Sequence, residues 1–217
     1  MGWLRRKKPY DRSRLLKDAA RARKKGKRQK AIALYRELLA VEPENADLHR
    51  RIAPLLAETK QPAAAWASYR RAADKLVSQG FVEQAVGVLR EASAHLPREP
   101  EVWGELADLE LQRRRLVDAH KVLLEGRRHF RSKRDRSHAI LLLFRARKLA
   151  PRDFSTNYDL AGLLAKAGAR GRARSLLEEI ASWARAGQLR RVRARQFALS
   201  PTPAAAWGWL RALVVRG

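Results

Sequence analysis

Apolar and small residues recur along this 217-residue chain in a helical rhythm. Ala65, Ala119 and Ala173 stand at equal intervals, and each is followed four positions on by a large apolar side chain: Tyr69, Leu123 and Leu177. Upstream, at nearly constant offset, lie Ile52 with Ala53, Leu106 with Ala107, and Leu160 with Ala161. Around these anchors apolar positions return at i, i+3, i+4 and i+7, and no alternating pattern lasts beyond four residues. The rhythm predicts helix almost throughout. Small and large apolar residues at fixed offsets mean that one packed unit is copied along the chain, which is the signature of a solenoid or array.

Residues 12–45 carry the clearest single unit. Ala19 and Ala22 belong to a first helix, Gly26 to a turn, and Ala31, Tyr35 and Leu38 to a second helix. Small residues let two antiparallel helices approach closely, and Pro43 ends the pair because it cannot continue a helix. Later segments keep the same spacing: Trp103, Leu106, Ala107, Ala119, Leu123 and Gly126, then Leu160, Ala161, Leu164, Gly168, Ala173, Leu177 and Ile180. Over residues 12–200 this pattern resembles the tetratricopeptide repeat, a 34-residue helical hairpin. The resemblance implies an all-α, right-handed helical solenoid.

One departure modifies that picture. After Ala65 the next well-placed alanine is Ala85, a step too short for a full hairpin, and Ala139 follows Ala119 by the same short step. Such a step holds one helix, not two. The spacing therefore predicts a 54-residue unit of three helices, 46–58, 63–78 and 82–95, then 100–113, 117–132 and 136–149; the alternative is a non-repeat hairpin inserted between true repeats. A third copy covers 154–167, 171–186 and 189–199, with Arg193 standing where Ala85 and Ala139 stood. Ala73 and Leu76 are expected to pack away from Ala65 and Tyr69. Beyond Pro201 and Pro203, Ala206–Leu213 echoes Val102–Leu109 and is expected to form a C-terminal capping helix. Within it Trp209 is a candidate dimer contact. The domain organisation expected is a basic tail at 1–11, the solenoid at 12–200 and the cap at 201–217.

Charge adds a second strong feature. The chain has 48 Lys and Arg against 22 Asp and Glu, a net charge of +26. It lies in blocks: residues 1–30 hold 14 cations and 2 acids, 111–153 hold 14 and 4, and 188–217 hold 6 and none. Residues 31–110, with 9 cations and 13 acids, are acidic. Such blocks suit polyanionic partners: nucleic acid, acidic protein or anionic lipid. The polyanion-binding candidates are Lys24, Lys25, Lys27, Arg28, Lys121, Arg127, Arg128, Arg131, Arg134, Arg190 and Arg191. No RNA-reading module is visible, so contact with nucleic acid is expected at the backbone, salt-dependent and blind to sequence. Trp3-Leu4 followed by Arg5, Arg6, Lys7 and Lys8 suits a peripheral contact with an anionic membrane.

Catalysis finds no support. There is no cysteine, and the five histidines form no HExxH and no spaced metal cluster, so no metal and no cofactor are expected. His120 reads as a surface residue, and the pairs Glu178/Glu179 and Asp108/Glu110 as solvated helix exteriors. The resemblance implies instead a concave groove lined by the first helix of each pair. Its positions are Leu16 and Ala20, Arg50 and Pro54, Gly104 and Asp108, Tyr158 and Gly162. The Lys and Asn with which some members of that family clamp a C-terminal carboxylate are missing there. Candidate groove residues are Arg23, Lys24, Arg50, Asp108, Tyr158 and Lys166, a set suited to an extended or helical peptide with apolar anchors and mixed charge. Pro54 is expected to kink its helix. No apolar segment follows the basic N-terminus and no run is long enough to span a bilayer, so the expected location is the cytoplasm. The expected function is a non-enzymatic adaptor for a protein partner with cationic surfaces for a polyanion. Its rivals are a nucleic-acid or ribosome-associated protein and a peripheral membrane scaffold.

Overall fold

The computed structural model describes residues 10–214, so the Trp3-Leu4 segment and its cations lie outside the described residues. Among the described residues the chain forms α-helices and no strand. Residues up to Pro97 make one compact unit and residues from Arg98 a second.

The first unit holds α1 (Arg12–Lys24), α2 (Arg28–Val41), α3 (Ala46–Glu58), α4 (Pro62–Ser78) and α5 (Val82–His95). Each helix packs on the next, and α3 also reaches α5, so α3, α4 and α5 form a three-helix group. The second unit holds α6 (Pro100–Gln112), α7 (Leu116–Arg127) and α8 (Arg136–Leu149), then α9 (Phe154–Lys166), α10 (Arg170–Trp183), α11 (Ala186–Leu199) and α12 (Pro203–Val214). There α6 reaches α8 and α9 reaches α11, giving two more groups of three. Both units are built of tetratricopeptide-like helical hairpins.

Local chemistry accounts for the punctuation. The side chains of Asp11, Asn45 and Asp153 accept hydrogen bonds from the amides of Arg14 (3.0 Å), Leu48 (3.2 Å) and Thr156 (2.7 Å), which caps α1, α3 and α9. Five helices end in one turn type. The amides of Lys27, Gln61, Phe81, Arg115 and Ala169 reach back to the carbonyls of Ala22, Leu56, Leu76, Glu110 and Leu164. That closure needs a left-handed residue just before the amide. Gly26, Gly80 and Gly168 supply it freely, whereas Lys60 and Arg114 adopt φ 59° with a side chain in place.

The helix bounds depart from the expected ones in two places. α7 stops at Arg127, not at residue 132, because Phe130 turns inward and is buried, with His138 edge-on at 5.5 Å. The chain leaves the helix to deliver that ring, through successive tight turns at Glu125–Arg128, Gly126–His129 and Arg127–Phe130. α10 ends at Trp183 and α11 starts at Ala186, ahead of the expected residue 189, after the extended Ala184. α4 buries Ala65 and Tyr69 and, next to them, Ala72 and Ala73, while Leu76 is only half-buried.

Two substitutions test the packing. Trp103 lies directly over Gly126, where an added Cβ would sit 2.6–2.7 Å from its Cδ2 and Cβ. Gly126→Ala is expected to destabilise the protein by about 1–3 kcal/mol through overpacking, read as a lower Tm. Lys60→Gly removes a left-handed side chain and is expected to raise stability by about 1 kcal/mol in urea titration.

Candidate functional site

The face expected to form a groove is occupied by the protein's own side chains. In each group of three, the tenth residue of the third helix crosses to the first helix. In the first unit that residue is Glu91 of α5, whose carboxylate accepts from Arg50 Nε at 3.2 Å. In the second unit it is Arg145 of α8, which donates to the Gly104 carbonyl at 3.2 Å and to Asp108. In the next group it is Arg195 of α11, which donates to the Tyr158 carbonyl at 2.5 Å and lies 3.6 Å from the centre of the Tyr158 ring. The residue types differ, yet the bridge recurs.

Two of the three bridges also engage the backbone of the first helix. Arg50, Gly104 and Tyr158 occupy one position of successive repeats, and so do Pro54, Asp108 and Gly162. Pro54 has no N–H to give to the Arg50 carbonyl, so α3 has a carbonyl without its helical donor there. In the other two groups the corresponding carbonyls of Gly104 and Tyr158 receive the guanidinium groups. Glycine permits the approach: a Cβ at Gly104 would meet Arg145 Nη1 at 2.6 Å, and one at Gly162 would meet Arg195 Nη1 at 2.8 Å.

The aromatic end is closed further. Phe154 stacks on Tyr158 at 5.2 Å, Arg191 lies 5.3 Å and 4.7 Å from their centroids, and the Tyr158 hydroxyl donates to the Arg191 carbonyl at 3.3 Å. Arg50, Asp108 and Tyr158 are therefore engaged within the chain. Lys166 is exposed at the end of α9, where its carbonyl accepts from Arg136. Arg23 and Lys24 are exposed near the end of α1.

Tyr69 shows the electrostatics of this face. Burial first, and the Glu91 carboxylate second, push its phenol well above the ordinary range. Its hydroxyl lies 3.5 Å from Glu91 Oε1, so Glu91 serves both Arg50 and Tyr69.

The polyanion candidates divide in two. Arg28 pairs with Glu58, and Arg127 with Asp159 at 2.6 Å, while Arg191 covers the aromatic pair. Lys121 has Asp118 at 3.9 Å. Lys24, Lys25, Lys27, Arg128, Arg131, Arg134 and Arg190 are exposed and have no acidic partner among the described residues. The cluster at the α7–α8 connection is the densest. Arg128 and Arg131 line a depression there with Arg98, Glu125, His129, Ser132 and Asp135, so two carboxylates share it with three guanidinium groups. The Asp135 carboxyl is held below its usual range, first by the Ser132 hydroxyl at 2.8 Å and also by Arg98 at 2.6 Å.

Three single residues sit differently from expectation. Glu110 is fully buried and paired with Arg113 at 2.7 Å, not solvated, as a buried carboxylate requires a compensating partner. His120 is half-buried, its Nε2 3.3 Å from Thr156 Oγ1. Trp209 stacks on Phe197 at 5.9 Å, and it is Trp207 that faces outward.

Among the described residues no helix is long and apolar enough to cross a membrane. No family model and no curated protein matches the chain. It is similar to solved helical structures. MamA shares 16% identity over 90% of this chain and 92% of its own, with a TM-score of 0.34. A tetratricopeptide repeat protein from Parabacteroides merdae shares 16% over 93% and 91%, with a TM-score of 0.30. Pseudomonas aeruginosa PilF shares 20% over 94% and 91%, with a TM-score of 0.28. The tetratricopeptide-like character of the fold lies in the helical hairpins themselves.

The Tyr69 environment has a measurable consequence. A phenol whose pKa is raised on folding stabilises the protein below its unfolded pKa, and that contribution is lost as pH rises through and beyond about 10. Melts between pH 9 and 11 are expected to show a steepening loss of Tm in the wild type, reduced in Tyr69→Phe.

Proposed function

We propose that this chain is a non-enzymatic tetratricopeptide-like scaffold that attaches to a polyanion through the cations at its helix connections while serving a protein or peptide partner. The observation that supports this reading is the α7–α8 connection. Arg128, Arg131, Lys133 and Arg134 are all exposed within one short segment, and the adjacent Asp135 is already committed to Arg98 and Ser132. The α1–α2 turn repeats the arrangement with Lys24, Lys25 and Lys27. The α1–α2 turn carries no ring, and at the α7–α8 connection the one exposed ring among residues 128–135 is His129, held against Trp103 at 5.3 Å, so the contact is chiefly with phosphate and its strength is set by counterion release. The chain would hold its site by charge density and not by sequence.

The bridged face qualifies the peptide-groove idea. A peptide there must compete with Glu91 for Arg50 and with Arg145 for Asp108. Partly exposed pairs of this kind are worth about 0.2–1 kcal/mol each, so a charged partner can displace them at small cost.

The test is a salt titration of binding to a single-stranded oligonucleotide. Each phosphate contact contributes about 0.7 to the slope of log affinity against log salt. Reversing Lys24, Lys25 and Lys27 to Glu, or Arg128, Arg131 and Arg134 to Glu, is expected to lower that slope by about 2 and the affinity at least about tenfold. Asp108→Lys and Tyr158→Ala are expected to leave both nearly unchanged. Slopes untouched by either cationic reversal would remove the polyanion from the reading.

A further inference from the structure

Asp135 stands at the N-cap position of α8 and does not cap it. Aspartate is among the best N-cap residues, because its carboxylate accepts from amides of the first turn when its backbone is extended. Asp11, Asp153 and Asn45 do this for α1, α9 and α3, with ψ of 97°, 112° and 105°. Asp135 instead has φ −90° and ψ 2°, and its carboxylate lies on Arg98 Nη2 at 2.6 Å and on the Ser132 hydroxyl at 2.8 Å. Its amide donates to Ser132 Oγ at 3.2 Å. The first turn of α8 holds no acidic residue, so no carboxylate in that turn offsets the positive end of the helix dipole. The depression lined by Arg98, Arg128 and Arg131 thus already binds an anion, supplied by the one residue placed to cap α8.

We propose that this depression seats one backbone phosphodiester of a single-stranded nucleic acid, which takes Arg98 and the Ser132 hydroxyl from Asp135 while Asp135 turns back to cap α8. The inference rests on the polyanion reading above and adds to it a seat, two contact residues and a switch. One monoanion replaces another, so the charge inside the depression is unchanged. Glu125 also lines the depression, and a terminal phosphate would set its second charge against that carboxylate, which favours the diester. The Arg98–Asp135 pair that is given up is weak, because the Arg98 side chain is 68% exposed, and the cap that is gained offsets it. Arg128 and Arg131 stand exposed beside the seat, with Arg131 Nε donating to the Arg128 carbonyl at 2.9 Å. Asp135 closes the non-helical segment 128–135, so its change of ψ falls outside any helix. A lipid headgroup suits the seat less well. Phe130 is the one apolar side chain among residues 128–135, and it is buried, so nothing on this segment enters a bilayer.

The probe is a fluorescein-labelled oligodeoxythymidylate without a terminal phosphate, added to the full chain. Affinity is read by anisotropy and amide exchange by NMR. Binding is expected to slow exchange of the Ser137 and His138 amides, the second and third of α8, by about fivefold. Asp135→Ser caps α8 without competing for Arg98, so it is expected to show that protection before the probe is added and to bind about threefold more tightly. Asp135→Ala is expected to bind more tightly too, but with no gain of protection. Glu125→Gln removes an equal charge from the depression and is expected to keep that gain, which separates the cap from charge alone. Arg98→Gln is expected to weaken binding at least about threefold with an unchanged circular dichroism spectrum. Wild-type binding that leaves exchange in the first turn of α8 unaltered, or an Arg98→Gln variant that binds as the wild type does, overturns the proposal and leaves the polyanion reading standing. Absence of binding, or binding untouched by reversing Arg128, Arg131 and Arg134 to Glu, removes both. Binding that requires a 5′-phosphate, or that is seen with phosphatidylglycerol vesicles and not with the strand, assigns the seat to another phosphate and likewise overturns the proposal.

Discussion

A single small side chain sets the spacing of nearly every helix pair. Ala31, Ala65, Ala85, Ala119, Ala139 and Ala173 each occupy the fourth position of their helix, in α2, α4, α5, α7, α8 and α10, and each is fully buried. Two helix axes come within about 8–10 Å only where the side chains at the crossing are small. Before α2, α4, α5, α7 and α10 the connection to that crossing is short and closes through a left-handed residue, whereas α8 follows the longer segment 128–135. Lys60 and Arg114 accept an unfavourable backbone conformation at such turns, which shows how firmly the crossing dictates the link. α11 marks the limit of the rule. Its fourth residue is Leu189, only half-buried, and its start is displaced from the period of the other groups.

The helices were legible because their signals are local. Alanine spacing, Gly26, Gly168, Pro43 and the capping Asn45 and Asp153 all act within one turn of where they stand, so the bounds of α3, α5, α8 and α9 fall within a residue of the expected ones. The end of α7 was hidden because its cause, the burial of Phe130, depends on tertiary packing that no helical periodicity records. The state of the site was hidden for the same reason. Arg50, Asp108 and Tyr158 read as free because each partner lies 37–41 residues away in sequence. A signal did exist: Glu91 and Arg145 occupy equivalent positions of successive repeats, and they carry charge opposite to Arg50 and Asp108. Trp209 and Trp207 could not be told apart on a helix whose two sides are both apolar.

The recurring bridge between first and third helices is better understood as a device for register than for stability. Its three versions are an Arg–Glu pair, an Asp–Arg pair with an added carbonyl, and an Arg over Tyr. Exposed pairs contribute little net energy, so three different chemistries at one level imply that position, not strength, is what they share. Where a guanidinium of the third helix lodges on a carbonyl of the first, Gly104 or Gly162 leaves the room for it. That requirement ties the third helix to one vertical setting against the first.

The same pairing explains why the cationic surface lies where it does. The net charge of +26 leaves most of the cations with no internal counter-charge. Glu42, Asp47, Glu58, Glu91, Asp108, Asp135, Asp159 and Glu179 each meet an arginine of the same unit. Arginine takes these roles because its planar fork satisfies a carboxylate and a carbonyl together, which an ammonium group does less well. Some of the cations not recruited in this way stand close together at two connections, where the chain is exposed. Lys24, Lys25 and Lys27 are lysines on a tight turn, and Arg128, Arg131 and Arg134 stand on the segment that Phe130 pulls out of helix. Exposed cations without an acidic partner also stand on the helices, as Lys30, Lys148, Arg172 and Arg190 do, and the connections add the most closely spaced of them.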